Sequence, residues 1–312
     1  MTSTLVIGGT GLMGSRVVRA LLGTGTVTAF TRDPESARAR ALRDLGAGAA
    51  KGDLDEPGTL RAALEGVDQV FCNTDHFGAG GVLAEHRQGV TALEAAREAG
   101  VARFVWSSLD GASALTGGRV RMSHYDAKAG VAAHVHTHRA DEAERGEEGW
   151  HTRSTSILTT APYYENFPAS LPPERTTLPD GRAGALFRVP LGERGRYPLI
   201  ALDDIAWFAA RMFEDWHGWG ARDLAVVADS PTGAEIAATF ERVTGIPSAY
   251  LPVPLEAMRA NGGHDFASMF ELFQTRPIAD LDRDLPALRR LHPGLMTFED
   301  WLRATGWTGE AA

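Results

Sequence analysis

One predicted helix carries three side chains that could exchange a proton with a bound substrate. The stretch Met122–His136 is expected to be helical, and in it Tyr125 and His124 precede Lys128 by three and four residues. Either ring can approach Lys128, although only one is expected to point inward. Histidine titrates near neutrality, and lysine does so when desolvation lowers its pKa. Lys128 is therefore the first choice for a site, against the alternative of a solvated surface lysine.

A glycine-rich turn near the start of the chain could seat the pyrophosphate of a dinucleotide. The run Thr4–Ile7 leads into Gly8-Gly9-Thr10-Gly11-Leu12-Met13-Gly14, and an apolar helical pattern follows at Val17, Val18, Leu21 and Leu22. Gly8 permits a tight turn, Gly11 lets backbone N–H groups approach phosphate, and Gly14 allows close packing of helix on strand. A strand before the glycines and a helix after them favour a dinucleotide site over an ordinary glycine turn.

The end of the second predicted strand, Thr26–Thr31, indicates which dinucleotide fits. NAD sites carry an acidic residue there, about 20 residues past the glycines, to bind the ribose hydroxyls. This chain has Thr31 and then Arg32, whose planar guanidinium can bind the extra phosphate of NADP. We therefore expect NADP(H) in preference to NAD(H). The alternatives are an Arg32 that stacks on adenine without selecting a cofactor, and an Asp33 that caps the following helix.

Polar residues also follow the fourth predicted strand, Gln69–Cys72. Open α/β sheets bind ligands beyond the carboxyl ends of their strands. We therefore expect Asn73 and Thr74 on the ribose or nicotinamide side of the cofactor; the alternative is that they satisfy a turn together with Asp75. Cys72 is the only cysteine, so no disulfide can form within one chain, and it is expected to pack as a small buried hydrophobe.

Strands and helices alternate along the first half of the chain, which predicts an α/β protein with a doubly wound parallel sheet of the Rossmann type. The other helices are predicted over Pro34–Leu45, Pro57–Leu64, Leu83–Gly100 and Asp203–Phe213. The other strands are predicted over Ala47–Lys51, Val101–Trp106, Ser156–Ala161, Ala185–Val189, Arg196–Ile200 and Leu224–Ala228, with a Pro-rich loop over Pro172–Arg182. We expect a dinucleotide-binding domain over residues 1–160 and about 201–228. A smaller, mainly helical lobe, over about 161–200 and 229–312, is expected to close over the cofactor crevice.

Composition narrows the class of protein. The chain has 312 residues, 44% hydrophobic and 23% charged, which is typical of a globular protein with a sizeable core. Its formal net charge of −9 argues against a nucleic-acid-binding surface. Gly8 interrupts the N-terminal apolar run, and no apolar stretch approaches the roughly 20 residues that span a bilayer. We expect a cytoplasmic protein that binds neither nucleic acid nor membrane.

Sequence motifs spread over nearly the whole chain carry a family resemblance. Besides the glycine turn they are Gly52-Asp53-Leu54-Asp55, Gly66-Val67-Asp68, Glu85 with Gln88-Gly89, Ser156-Ile157-Leu158 and Tyr163-Tyr164-Glu165-Asn166-Phe167. They resemble the NmrA-like family, an atypical branch of the short-chain dehydrogenases/reductases. The tail from Phe266 to Trp307, with Arg276-Pro277, Asp280 and Thr297–Leu302, is similar to its redox-sensor subgroup. The resemblance implies a Rossmann fold that binds NADP(H) or NAD(H); some members are reductases, and others are inactive sensors that bind regulatory proteins.

With this resemblance, the expected site can be given residue by residue. The cofactor-binding residues are expected to be Gly8, Thr10, Gly11, Leu12, Met13, Gly14, Arg32, Asp53, Leu54, Asn73, Thr74, Lys128, Pro162, Tyr163 and Asn166. The expected catalytic residues are Lys128, His124 and Tyr125, with Lys128 as ribose ligand first and as proton donor second. Pro162, Tyr163, Tyr164 and Asn166 are expected to line the nicotinamide and substrate pocket, unless the rings serve lobe packing.

Two departures bear on the reaction. Ordinary short-chain dehydrogenases carry a tyrosine as general acid four residues before the lysine, where this chain has His124; the same departure is typical of NmrA-like members. Family members often have Arg-Pro where this chain has Thr159-Thr160. The leading hypothesis is a reductase that transfers hydride from NADPH to a small organic substrate. The alternative is a non-catalytic NADP(H) sensor that binds a regulatory protein.

Two polar stretches of the sequence are not assigned to any binding site. On a continuous helix His134 and His138 share a face while His136 points elsewhere, so a three-histidine metal site would require a break. No metal site is therefore predicted. The acidic stretch 140–149 is expected to be a solvated, mobile loop or a partner-binding surface.

Overall fold

The computed structural model describes residues 1–219, 222–261 and 263–312, which cluster into two compact units. The first unit comprises Met1–Gly111, Ser123–Thr159 and Ile205–Ala225. The second comprises Ala112–Met122, Thr160–Asp204 and Val226–Ala312. Residues 112–122, which we expected in the dinucleotide-binding domain, group with the second unit.

Within the described residues, the first unit is built on a seven-stranded parallel sheet. Its strands are β1 (Thr2–Ile7), β2 (Gly25–Thr31), β3 (Gly48–Lys51), β4 (Gln69–Cys72), β5 (Arg103–Ser108), β6 (Thr155–Thr159) and β9 (Asp223–Ala225). Their order is β3-β2-β1-β4-β5-β6-β9, so β1 pairs with β2 on one side and β4 on the other. This is the doubly wound order with one added strand, and it confirms the predicted fold class. From β1 to β3 the strands are added towards one edge of the sheet, and from β4 onwards they are added towards the other edge. The glycine turn and Asn73 follow β1 and β4, the two strands at which this order changes.

The second unit has its own three-stranded sheet. It contains β7 (Glu174–Thr177), β8 (Ala183–Phe187) and β10 (Ser248–Tyr250), in the order β10-β8-β7. An aromatic core stabilises this unit, with side chains that include Phe167, Phe187 and Phe240.

The helices of the described residues, in chain order, are α1 (Leu12–Leu21), α2 (Ala37–Asp44), α3 (Pro57–Ala63), α4 (His76–Ala79), α5 (Val82–Glu98), α6 (Ala112–Leu115), α7 (Ser123–Glu144), α8 (Trp150–Ser154), α9 (Asn166–Ser170), α10 (Leu202–Glu214), α11 (Trp216–Trp219), α12 (Gly233–Thr244), α13 (Leu255–Ala260), α14 (His264–Thr275), α15 (Ile278–Leu281), α16 (Leu285–Leu291) and α17 (Phe298–Thr305). Of these, no helix combines the length and apolarity that crossing a membrane requires.

Helices α5 and α7 pack closely against β5 because a glycine permits it. A Cβ atom added to Gly89 of α5 would lie 2.6 Å from Cγ2 of Val131 and 2.8 Å from the ring of Trp106. Trp106 is completely buried, and its Nε1 donates to the carbonyl oxygen of Lys128 at 3.1 Å. This packing fixes α7 relative to the sheet and thereby positions Lys128.

Four local predictions are wrong, each for an identifiable reason. Helix α7 continues to Glu144, so residues 140–144 are helical rather than loop; Glu142 is buried there because it accepts hydrogen bonds from the start of α8. The predicted loop Pro172–Arg182 contains β7, an exposed edge strand that begins after the prolines. Residues 196–200 form isolated bridges instead of a strand. Ser36, not Asp33, caps α2 and accepts from the backbone N–H of Ala39.

Candidate functional site

The glycine turn has the geometry that its sequence requires. Gly8 has φ +76°, and a Cβ atom there would lie 2.3 Å from the carbonyl oxygen of Asn73. At Gly14 a Cβ atom would lie 2.1 Å from the carbonyl oxygen of Gly8. A side chain at Gly8 would clash with the backbone that follows β4, and one at Gly14 would push α1 away from the end of β1. The close contacts of the turn with β4 and with α1 therefore require glycine at positions 8 and 14.

The start of α1 leaves its backbone donors accessible. Gly11 is the N-cap residue and offers no side chain to the first turn, and both Gly11 and Leu12 are exposed. By contrast, Met13 is buried, and its sulfur accepts a hydrogen bond from Oγ of Ser107 at 3.4 Å. An exposed, uncapped helix N-terminus attracts anions through its free N–H groups and the helix dipole. These residues fit a dinucleotide pyrophosphate.

The ends of β2 and β3 supply the next predicted residues. Oγ1 of Thr10 lies 3.4 Å from Oγ1 of Thr31, so the glycine turn contacts the end of β2. Arg32 follows and is exposed; among the described residues no ion pair occupies its guanidinium. Asp53 and Leu54 follow β3 and are half-buried, and one carboxylate oxygen of Asp53 accepts from the backbone N–H of Asp55 at 3.0 Å.

Lys128 is buried at the carboxyl end of β4, so the alternative of a solvated helix lysine is wrong. Its side chain is 10% exposed. Nζ donates to the carbonyl oxygen of Thr74 at 2.9 Å, to Oγ1 of Thr74 at 3.0 Å and to Oδ1 of Asn73 at 3.2 Å. Nζ also lies 5.4 Å from the centroid of the Trp106 ring, within the range of a cation–π contact. The structure thus brings Gly8, Asn73, Thr74 and Lys128 together.

A fully buried carboxylate balances the charge of Lys128. Oε1 of Glu85 lies 3.0 Å from Nζ of Lys128 and accepts from Oγ1 of Thr74 at 2.6 Å, while Oε2 accepts from Nδ1 of His76 at 2.7 Å. Burial alone would raise the pKa of Glu85, but the charge of Lys128 and the three hydrogen bonds outweigh it and lower that pKa. Glu85 is therefore a carboxylate at neutral pH.

His124 and Tyr125 lie at the first turn of α7, both buried. The His124 ring is 6.0 Å from that of His76 and 5.8 Å from that of Phe77, measured between centroids. Tyr125 meets the His124 ring edge-on at 4.9 Å. Phe77 is 65% exposed, so His124 borders a surface-accessible aromatic side chain, whereas Tyr125 is only 2% exposed. His124 is the better placed of the two to meet a substrate.

The remaining predicted residues belong to the second unit. Pro162 is buried and accepts from the backbone N–H of Ile200 at 3.1 Å; Tyr163 and Asn166 are half-buried. Burial raises the pKa of Tyr163 to about 12. Tyr164 is completely buried against Phe298 and Trp301, which is the packing role weighed as its alternative. The cofactor-binding roles of Pro162, Tyr163 and Asn166 stay predictions.

Comparisons with known proteins decide the family. The model of the NmrA-like family matches residues 1–302. The chain belongs to the NmrA-like family. An NmrA-like family domain-containing oxidoreductase of Aspergillus hancockii is 28% identical over 257 residues, which are 80% of this chain and 74% of that protein. The NAD(P)H azoreductase of Xenophilus azovorans is 31% identical over 256 residues, which are 81% of this chain and 77% of that protein.

Solved structures share the fold of this NmrA-like chain. The triphenylmethane reductase of Citrobacter sp. gives a TM-score of 0.73 at 20% identity and covers 98% of this chain and 100% of its own. The NADPH-dependent quinone oxidoreductase of Escherichia coli, complexed with NADPH, gives 0.73 at 20% identity over 97% and 100%. NmrA, a negative transcriptional regulator, gives 0.74 at 17% identity over 98% and 99%. Reductases and a regulator thus share this architecture.

Sequence reasoning missed two members of the buried network. In the sequence Glu85 stands out only as part of an NmrA-like motif, and no role is predicted for His76. The available signal was Glu85 itself, an acidic residue on the side of α5 that also carries the buried Ala92 and Leu93. A carboxylate on a buried face requires a partner. Lys128 is one of only two lysines in the chain, so it is an obvious candidate for the cation that pairs with Glu85.

Proposed function

We propose that this NmrA-like protein is an NADPH-dependent reductase of a small, conjugated organic substrate. The observation that carries the proposal is the buried Lys128, whose ammonium lies between Glu85 and the polar end of β4, beside the glycine turn. An NADP(H) site needs an anion-binding helix N-terminus and a fixed group for the ribose near the strand ends. Gly11 and Lys128 are suited to these two tasks.

Cofactor binding divides among three groups of residues. The backbone N–H groups of Leu12 and Met13, at the start of α1, would hold the pyrophosphate, since the N–H of Gly11 already donates to the carbonyl oxygen of Gly8. Arg32, exposed and without an ion-pair partner in the described part of the chain, would bind the 2′-phosphate, which selects NADP(H) and leaves NAD(H) as a weaker ligand. Lys128, Asn73 and Thr74 would hold the nicotinamide ribose. NADPH, when bound, supplies the hydride.

Lys128 is better suited to positioning than to proton donation. Its N–H groups point at acceptors on Asn73, Thr74 and Glu85, and the buried Glu85 carboxylate stabilises the ammonium form. A proton leaving Nζ would leave that carboxylate buried without its counter-charge. We therefore assign proton delivery to the imidazole of His124, a type of side chain that often serves as general acid, because its ring borders the exposed Phe77.

The substrate class follows from the relatives. Their names specify an azoreductase, a triphenylmethane reductase and a quinone oxidoreductase, and azo dyes, triphenylmethane dyes and quinones share a conjugated π-system that can accept hydride. The test is the rate of NADPH consumption with an azo dye, a triphenylmethane dye and a quinone. The proposal predicts turnover of at least one class by the wild type. It also predicts a large loss of turnover in Lys128→Met, with Lys51→Met, the other lysine and an exposed one, as the matched control.

A non-catalytic NADP(H) sensor is the second candidate, and His124 at the position of the usual tyrosine favours it. Measurements of NADPH consumption and of NADPH-dependent association distinguish the reductase from the sensor. A sensor binds NADPH, consumes none with any acceptor of the panel, and changes its self-association or its capture of a regulatory protein when NADPH is added. Turnover without such a change contradicts the sensor.

A further inference from the structure

Four side chains from three helices converge away from the Lys128 network. Glu94 comes from α5, His134 and His138 from α7, and His151 from α8. Oε1 of Glu94 lies 3.7 Å from Nε2 of His134 and 3.6 Å from Nε2 of His151. The rings of His138 and His151 are stacked with centroids 4.3 Å apart, and the rings of His134 and His138 are 4.6 Å apart.

Three atoms that face this centre have no hydrogen-bond partner among the described residues. They are Oε1 of Glu94, Nε2 of His134 and Nε2 of His151, and each is inaccessible to solvent. The other carboxylate oxygen of Glu94 accepts from Nε of Arg97 at 2.7 Å, which leaves Oε1 directed at the histidines. Buried polar atoms without partners cost free energy, and a bound ion is one of the few ways to satisfy several at once.

We propose that Glu94, His138 and His151, with His134 as a fourth ligand, bind a divalent transition-metal ion, Zn²⁺ foremost. Ligand atoms of the first three lie within 4.8 Å of one another. Three imidazoles and one carboxylate are a donor set that Zn²⁺ accepts in tetrahedral geometry, with ligand atoms about 3.4 Å apart at usual bond lengths. Binding therefore requires the ligand atoms to move closer together, and the stacked rings of His138 and His151, which lie 9° from parallel, to rotate until both nitrogen lone pairs point at the metal.

A second carboxylate orients one of these ligands. Nδ1 of His151 lies 3.0 Å from Oε1 of Glu142, and the same carboxylate accepts from the backbone N–H groups of His151 and Thr152. The ring therefore donates its Nδ1 proton to Glu142 and presents the lone pair of Nε2 to the centre. Metal-ligating histidines in proteins are usually held by such a carboxylate.

The metal would act on structure rather than on the reaction. His134 follows Lys128 on α7 by six residues, about 9 Å along the helix axis. The site would join α5, which carries Glu85, to α7, which carries Lys128, and to α8. The assignment rests on the geometry of the four ligand side chains and is independent of the proposed reductase function.

The test is calorimetric titration of the tag-free, chelator-treated full chain with ZnCl₂. The wild type should bind one Zn²⁺ per chain. The double variant His138→Ala/His151→Ala should bind it at least about tenfold more weakly. His136→Ala is the matched control, because His136 lies on the same helix but pairs with Asp223 away from the centre, and its affinity should equal that of the wild type.

Two results overturn the proposal: no saturable Zn²⁺ binding by the wild type, or equal affinity in the double variant. Circular dichroism shows whether the double variant is folded. If the double variant is unfolded, the wild-type chain is titrated with Co²⁺ and its visible absorption spectrum is recorded, because Co²⁺ in a tetrahedral site gives intense visible absorption bands. The site is supported if the wild type shows these bands, His136→Ala keeps them and His151→Gln loses them. The site is refuted if the wild type shows no such bands.

Discussion

Nζ of Lys128 lies 3.0 Å from Oε1 of Glu85, and the Glu85 side chain has no exposed surface. This ion pair connects α7 to α5 and, through Thr74, to the end of β4. Its partners come from three separate parts of the chain. The proposed cofactor site therefore depends on a buried acid that lies more than 70 residues after the glycine turn in the sequence.

Removing one partner of this pair is expected to destabilise the protein strongly. Glu85→Ala leaves the Lys128 ammonium buried without a counter-charge and should lower the free energy of unfolding by about 3 kcal/mol in urea titrations. Glu85→Leu combined with Lys128→Met should recover most of that loss, because an apolar pair of similar size needs no counter-charge. A loss below about 1 kcal/mol in Glu85→Ala would show that the pair is not buried as described.

The glycine turn allows a comparison of two alanine substitutions. Gly14→Ala places a Cβ atom 2.1 Å from the carbonyl oxygen of Gly8, so the backbone must shift, whereas Gly23→Ala meets no atom within 4 Å. We expect Gly14→Ala to lower stability by about 1–3 kcal/mol and to abolish detectable NADPH binding. Gly23→Ala should leave both unchanged. Equal behaviour of the two variants in thermal unfolding and cofactor titration would contradict the close approach of α1 to β1.

Glu142 predicts a pH dependence of stability. Burial opposes its ionisation, but hydrogen bonds from His151 and Thr152 outweigh this and lower its pKa from 4.5 to about 2. A lowered carboxyl pKa stabilises the folded state above pH 4.5, and the contribution is lost as the pH falls from 4.5 towards 2. Glu142→Gln should therefore be less stable than wild type by up to about 3 kcal/mol at pH 7.

The control for that variant is Glu144→Gln, an exposed glutamate two residues further along α7. It should match wild type at every pH. Urea unfolding at pH 7 and at pH 3 provides the measurement. A difference between Glu142→Gln and wild type that does not shrink at the lower pH would refute the assigned role of the carboxylate.

The assignment of His124 as proton donor predicts a kinetic result. His124→Ala should reduce the rate constant for turnover about 100-fold, the size of a general-acid contribution, with the Kd for NADPH unchanged. Tyr125→Phe should retain near wild-type turnover, because the buried phenol is not assigned to the reaction. Steady-state kinetics over a range of pH give the readout. Turnover in His124→Ala equal to wild type, with an unaltered pH profile, would exclude the imidazole as donor.

Much of the sheet could be predicted because its central strands are buried on both faces. Val70 and Phe71 of β4 are completely buried, and such continuous apolar runs identify parallel strands before any partner is known. The glycine turn could also be predicted, since its residues are adjacent in sequence. Strand β7 could not, because it is an exposed edge strand next to prolines and lacks an apolar pattern.

The residues that the sequence left unassigned are those whose partners lie far away along the chain. The acidic run 140–149 has the composition of a solvated loop, yet Glu142 is buried because it caps α8 and holds His151. The spacing of His134 and His138 placed them on one face but gave no indication of Glu94 or His151. Only the packing of α5 and α8 against α7 brings these side chains together.

Calorimetric titration with NADPH and with NADH measures whether the dinucleotide site selects NADP(H). We expect the wild type to bind NADPH more tightly than NADH. In Arg32→Ala the Kd for NADPH should rise at least about tenfold, as when a charged hydrogen bond is lost, while the Kd for NADH stays constant. Arg38→Ala, an exposed arginine of α2, should behave as wild type. Equal affinities for the two nucleotides in the wild type would refute the selection of NADP(H), and binding of neither would refute the dinucleotide site itself.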